Sequence, residues 1–259
     1  MRNKILVYDD DGTADTGDLK RCLRAYFEPL KIETASVRGE DVLYKDALND
    51  EILAFFLPGG AATPYMQKLK TLGNQKIRDY VSAGGIYFGI CAGAYYAAEK
   101  ISFENDVPEL ALEQHCGLDL IKARAVGTLK KDFGLAPYGK PTPANAAVVK
   151  VIWREDAGEH GVFYHGGPKF EDVRDAEVLA VYKDAAGQPP AILQRSYGKG
   201  LVIVSGVHFE DDALSLEALV RHHKTLEKRA KGIRSEIIKC EASRQSLTDK
   251  LMAKLVNRR

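Results

Sequence analysis

Apolar and polar positions along the first hundred residues follow two rhythms. Lys4 to Tyr8 is a short apolar run that reads as a buried strand, and Asp9-Asp10-Asp11-Gly12 follows it as a turn. Asp18 to Phe27 has helical spacing, with Leu19, Cys22, Leu23 and Tyr26 on one side. Ile32 to Val37 alternates as a second strand, and Val42 to Leu48 predicts a short helix. Ile52 to Leu57 is a continuous apolar run ending at Pro58-Gly59-Gly60, the pattern of a parallel strand buried on both faces. Ile77 to Ala83 predicts a helix stopped by Gly84-Gly85, and Ile86 to Ile90 a further buried strand. Strands alternating with helices imply a mostly parallel sheet with helices on both faces. Ligands of such sheets sit at the carboxyl ends of the strands, where Asp9 to Gly12, Gly59-Gly60 and Cys91 fall.

Beyond residue 100 the elements shorten. Strands are expected around Leu120 to Val126 and Ala147 to Trp153, separated by a Gly- and Pro-rich loop from Gly134 to Pro143. Residues 102–161 read as an insertion or a sheet extension on the same domain. Val162 to Tyr164 predicts a strand ending in His165-Gly166-Gly167-Pro168. Glu177 to Tyr182 reads as another strand, and Ala191 to Ser205 as an antiparallel hairpin turning at Ser196 to Gly200. Its second arm runs into Gly206-Val207-His208-Phe209-Glu210.

The C-terminal segment, 224–259, changes character. It carries a net charge of +7, against −6 for the remainder of the chain. Leu226, Ala230, Ile233, Ile237, Cys240, Leu247, Leu251 and Leu255 recur in three- and four-residue steps, broken at Arg244. This is an amphipathic helix or helix pair, read as an extension of a 1–223 α/β domain. Docking on its own domain with a basic solvated face is the first reading. A homodimer or partner-protein contact comes next. Nucleic-acid binding ranks last, since the segment lacks aromatics for base stacking.

Composition narrows the class. The chain has 259 residues, 45% hydrophobic and 28% charged, with a net charge of +1, which is ordinary for a globular protein. No apolar run approaches the roughly 20 residues of a membrane span, so no membrane partner is expected. The opening Met1-Arg2-Asn3-Lys4-Ile5 reads as the approach to a first strand rather than a signal peptide. Cys22, Cys91, Cys116 and Cys240 are scattered, without a C-x-x-C pair, so neither a metal site nor a disulfide framework is suggested. A reducing cytoplasm and no cofactor are the expectations, with Cys22, Cys116 and Cys240 read as packing.

The candidate chemistry centres on Gly89-Ile90-Cys91-Ala92-Gly93. This is a G-x-S-x-G nucleophile elbow with Cys in the Ser place, set between a buried strand and an alanine-rich helix. The turn is tight, so small residues must flank the nucleophile. At a helix N-terminus, backbone N–H groups and the helix dipole favour a thiolate. A thiol needs a base, and the base an orienter. In His208-Phe209-Glu210, residues two apart in an extended segment point the same way. Glu210 can then hold one ring nitrogen of His208 while the other faces Cys91. Oxyanion donors would come from the backbone at Gly59-Gly60 and at Ala92. Tyr164, Gly166 and Gly167 are candidate pocket residues, and His165 is either another or a plain loop residue. Each motif has an ordinary alternative: an inert buried Cys, a surface His and Glu at a strand end, a common glycine pair.

Leu57-Pro58-Gly59-Gly60, Gly89-Ile90-Cys91-Ala92-Gly93 and Tyr197-Gly198-Lys199-Gly200 through His208-Phe209-Glu210 resemble the class I glutamine amidotransferase-like superfamily. Within it, Leu57 to Ala61, Gly89 to Ala97 and Tyr164 to Pro168 look most like the N-terminal domain of biotin–protein ligases, which also occurs as a stand-alone bacterial protein. The resemblance covers roughly residues 1–215. It implies a flavodoxin-like sheet and a Cys-His-Glu triad on Cys91, His208 and Glu210. The sequence departs from the glutamine-hydrolysing pattern. Ala94-Tyr95 stands where those members usually carry His-Gln or a similar polar pair, and Phe209 stands in place of Pro. No synthetase domain or biotin-ligase ATP loop is visible in the sequence.

Two functions follow as expectations. One is a cysteine-dependent hydrolase or amidotransferase acting on a small-molecule or peptide amide. The other is a binding or regulatory module that keeps the cleft without turnover.

Overall fold

Strands and helices alternate from the start of the computed structural model, which describes residues 2–14 and 16–258. β1 (Lys4–Tyr8), α1 (Thr16–Phe27), β2 (Glu33–Val37), α2 (Gly39–Tyr44), β3 (Ile52–Leu57), α3 (Ala62–Ser82), β4 (Ile86–Ile90) and α4 (Ala92–Ala97) come first. Next are β5 (Ala98–Phe103), β6 (Leu112–His115), β7 (Ile121–Gly127), α5 (Lys130–Phe133), β8 (Ala147–Trp153), β9 (Glu159–Tyr164), β10 (Lys169–Arg174) and β11 (Glu177–Tyr182). The hairpin β12 (Pro190–Tyr197) and β13 (Gly200–Ser205) precedes α6 (Leu216–His222), α7 (Glu227–Lys239) and α8 (Glu241–Val256).

The main sheet has the order β2-β1-β3-β4-β13-β12-β11-β8-β9. It is parallel from β2 to β13 and antiparallel from β13 to β9. This is the α/β architecture with an antiparallel extension that the pattern predicts. Side-chain alternation splits the core in two. Ile5, Val7, Phe56, Phe88 and Ile203 face α1 and α8, which bring Leu23, Phe27, Leu247 and Leu251. Leu6, Tyr8, Phe55, Tyr87 and Val202 face the side of α3 and α4.

The structure refines several expected elements. The helix read at Ile77 to Ala83 extends back to Ala62 across a kink at Lys70; its first half turns few apolar residues inward, chiefly Tyr65 and Leu69, and so gives little signal in the sequence. The expected helix from Val42 to Leu48 runs instead from Gly39 to Tyr44. The alanine-rich helix lasts only six residues before the chain extends into β5. A separate four-stranded sheet, β10-β7-β5-β6, stands where an insertion or an extension is expected. Polar strands such as Leu112–His115 give it little apolar signal. The C-terminal pattern breaks at Cys240, between α7 and α8, and Arg244 lies inside α8, buried. Among the described residues, no helix is long and apolar enough to cross a membrane.

Phe88 sits at the centre of the core half that faces α1 and α8, stacked 4.8 Å from Phe56 and tilted 5.3 Å from Phe209. Truncating a buried aromatic typically costs about 3–5 kcal/mol. Phe88→Ala should lower urea-unfolding stability by that amount, whereas Lys31→Ala on the surface should change it by less than about 0.5 kcal/mol.

Candidate active site

The parallel pair β4–β13 sets the geometry. Ile90 is in register with Ser205, and the Cys91 amide donates to the Ser205 carbonyl at 2.8 Å. The chain then turns sharply at Cys91, with φ 49° and ψ −102°, a conformation L-residues hold only when their surroundings impose it. The flanking glycines make the turn possible. A Cβ on Gly93 would stand 2.1 Å from the Leu57 carbonyl oxygen, and one on Gly89 would meet the Gly93 carbonyl at 2.5 Å. Cys91 is thereby set at the N-terminus of α4, 5% exposed, on the floor of a cleft of about 670 Å³.

His208 follows β13 and is fixed by its own backbone, its amide donating to the Phe163 carbonyl at 2.9 Å. Phe209 is fully buried behind it, against Phe88. His208 and Glu210 therefore project together, and His208 Nδ1 lies 2.9 Å from Glu210 Oε1. Asp211 Oδ2 is 3.7 Å from the same nitrogen. His208 Nε2 and Glu210 Oε2 are sealed from solvent, with no hydrogen-bond partner among the described residues. Burial acts to lower the imidazole pKa, but Glu210 and the sulfur of Cys91 outweigh it and hold the ring well above its ordinary value. The Cys91 thiol donates to the His165 carbonyl at 3.7 Å.

The glycine loop after β3 closes on these groups. A Cβ on Gly59 would stand 2.9 Å from His208 Cε1 and 3.7 Å from Cys91 Cβ, so loop, imidazole and thiol meet at one point. Gly60 has φ +133°, and an antiparallel bridge to Thr13 holds it. Gly59, Gly60, Ala92 and Gly166 line the cleft. Tyr164 and Gly167 do not: both lie behind the wall, the Tyr164 hydroxyl donating to the Gly167 carbonyl at 2.9 Å and accepting from the Leu129 amide. Tyr164 packs against Phe133 and Tyr182, and Gly167 lies against the Gly206 backbone, so both are core positions.

Three contributors were weak or silent in the sequence. His165 lines the cleft between Tyr138 and Phe163, with Nε2 3.0 Å from Asn145 Oδ1. Burial, and then the charge on His208, push its pKa down to about 3, so the ring is neutral. Asp211 completes an acidic rim. Tyr95, the departure after the elbow, donates from its hydroxyl to the Gly166 carbonyl at 3.1 Å and shapes the floor. The ligating atoms of His208, Glu210 and Asp211 fall within 4.8 Å of one another. In that cluster Glu210 Oε1 already occupies Nδ1 of His208.

The comparisons with known proteins agree with this architecture. The family model described as "Biotin-protein ligase, N terminal" matches residues 3–258. An uncharacterized protein of Chlamydia muridarum (strain MoPn / Nigg) is 28% identical over 273 aligned residues, covering 98% of this chain and 96% of its own. A biotin–protein ligase of Schizosaccharomyces pombe is 25% identical over 219 residues, 81% of this chain but 33% of the ligase, so the chain spans about a third of that protein. A glutamine amidotransferase from Thermotoga maritima superposes with a TM-score of 0.62 at 14% identity, over 100% of this chain and 98% of its own. Another glutamine amidotransferase gives 0.53 at 20%, over 88% and 98%. At such identities these structures share the fold, the flavodoxin-like sheet of class I glutamine amidotransferase-like proteins. The chain belongs to the family of biotin–protein ligase N-terminal domains.

Proposed function

We propose that the protein is a cysteine-dependent hydrolase or amidotransferase that acts on an amide or related carbonyl of a small molecule or peptide. One observation carries the reading: a buried imidazole held 2.9 Å from Glu210 through Nδ1, with Nε2 unpartnered among the described residues and Cys91 beside the ring. An imidazolium next to the sulfur favours the thiolate. The thiolate attacks the carbonyl carbon, and negative charge grows on the oxygen. The amides of Gly60 and Ala92 are the donors offered to that oxyanion. When the C–N bond breaks, the imidazolium gives its proton to the leaving nitrogen and a thioester remains on Cys91. Water then attacks the thioester, His208 accepts its proton, and the acid leaves as the thiolate returns.

A binding or regulatory module is the second reading. The contact of the thiol with the His165 carbonyl at 3.7 Å, which engages it as a neutral donor, favours it. Under this reading, Cys91 reacts no faster than an ordinary thiol.

Alkylation separates the two. Treated with iodoacetamide at pH 7 and mapped by mass spectrometry, Cys91 should react at least about tenfold faster than N-acetylcysteine, an ordinary thiol, while Cys22 and Cys116 stay unlabelled. Burial pushes both of those thiols up to about 12. His208→Ala should slow Cys91 by about tenfold or more. Equal labelling in both proteins would leave the binding module standing. Gly59→Ala provides a steric check, because its methyl group meets the ring edge. It should preserve the circular dichroism spectrum while slowing Cys91 alkylation by roughly tenfold. An unchanged rate would mean that the loop and the ring are not in register.

A further inference from the structure

Helix α8 reaches the segment that carries His208 and Glu210 through the carbonyl of the residue between them. Arg244 Nη1 donates to the Phe209 carbonyl at 2.7 Å, and Thr248 Oγ1 shares its proton between the same oxygen at 3.2 Å and the Arg244 carbonyl at 3.0 Å. Both residues are buried, Arg244 at 5% and Thr248 at 1% exposure. The guanidinium is itself held as a fork. Its Nε donates to Glu241 Oε2 at 3.1 Å and its Nη2 to Glu241 Oε1 at 2.6 Å. A buried cation persists only when its donors are satisfied, and here Glu241 and the Phe209 carbonyl do this together.

The helix behind this fork is anchored independently. Leu247, Leu251 and Leu255 lie in the main core. His160 Nδ1 is 2.7 Å from the Ser243 carbonyl, and the Gly161 amide donates to Ser243 Oγ at 3.1 Å. Tyr26 of α1 bonds Asp249 and Gln245. The Phe209 carbonyl is therefore pinned to a rigid element. Fixing that carbonyl fixes the peptide plane leading into Glu210, and with it the reach of the carboxylate to His208 Nδ1.

We propose that Arg244 is a positioning residue for the His208–Glu210 pair, which makes α8 a working part of the site. The proposal deepens the acyl-transfer reading and rests on it for its consequence at Cys91. The groups acting on the His208 ring are Cys91 from the elbow, His165 from the end of β9, and Glu210 and Asp211 from its own segment. Arg244 bonds to the segment that carries the ring through the Phe209 carbonyl.

The direction of the effect separates positioning from charge. As a nearby cation, Arg244 disfavours imidazolium, so losing its charge alone would raise the His208 pKa. Losing the clamp loosens Glu210 and lowers it. The test is the titration of the His208 ring, followed by ¹⁵N NMR in wild type, Arg244→Gln, Arg244→Lys and Leu251→Ala, beside the pH profile of Cys91 alkylation. Arg244→Gln should lower the His208 midpoint by about one pH unit and slow alkylation about tenfold on the acid limb. Arg244→Lys, which keeps the charge and one donor, should recover part of both. Leu251→Ala should lower the melting temperature and leave the midpoint in place. A midpoint that stays or rises in Arg244→Gln, or moves equally in Leu251→Ala, overturns the proposal. If Arg244→Gln does not fold, Thr248→Val removes one of the two donors and should move the midpoint the same way by less; no shift there also overturns it. A wild-type Cys91 without an activated limb would sink the acyl-transfer reading, while the His208 midpoints would still decide the role of Arg244.

Discussion

Phe209 is the constraint on which the rest of the site depends. Its ring is fully buried against Phe88, so the backbone at this point cannot rotate without opening the core. Its carbonyl accepts from Arg244 and Thr248, so the peptide cannot tilt without stranding a buried cation. With both ends of the residue held, its neighbours have little choice of direction. His208 and Glu210 leave the backbone toward the cleft because Phe209 leaves it toward the core.

The thiol depends on the same sheet by a different route. Parallel pairing of β4 with β13 ends at Ile90 and Ser205, and the next residue on each strand leaves the ladder. On β4 that residue is Cys91, which turns upward because Gly89 and Gly93 allow the helix to start against Leu57. On β13 the chain runs three residues further before His208 bonds to Phe163 of β9. Register in the sheet thus converts a sequence separation of more than a hundred residues into side-chain contact. The same logic explains why the glycine loop after β3 belongs to the site. β3 is the other neighbour of β4, and its carboxyl end arrives at the same level.

Much of this was legible in the chain. Strands buried on both faces announce themselves as unbroken apolar runs, and Ile52–Leu57 and Ile86–Ile90 stand where the pattern puts them. The elbow and the H-x-E segment were legible as motifs because tight turns and alternation impose residue types at fixed spacing. The small sheet was not legible, since β6 and β10 mix polar residues into both faces and gain their order from neighbours distant in sequence. Motif proximity points Tyr164 and Gly167 to the pocket, but it does not say which side of a wall a residue occupies. Arg244 is the instructive case. It entered the pattern only as a break in an apolar stripe, and in the structure that break is the cation that turns inward to a carbonyl. A polar residue interrupting a helical core face signals an acceptor across the interface, but the helix alone cannot say which one.

The cleft holds two imidazoles whose surroundings drive them apart. Burial leaves His165 neutral, with its pKa down at about 3. His208 is also buried, but Glu210 and Cys91 outweigh desolvation and hold it charged. The linkage signs are opposite. The contribution of His208 to stability is fully present below its ordinary pKa of about 6.5 and is lost as pH rises through its elevated folded value. His165 leaves stability intact above about 6.5 and erodes it as pH falls toward 3, because the unfolded chain takes up the proton that the folded ring refuses. Around neutrality the protein therefore keeps one imidazole as a proton store and the other as a neutral wall. Two like groups separated in this way can hold distinct roles in proton transfer. His208 has an orienting carboxylate and a thiol, whereas His165 has the Asn145 amide and the Thr142 backbone on its ring, neither of them charged. The difference between a store and a wall thus comes from Glu210, and through Glu210 from the backbone that aims it.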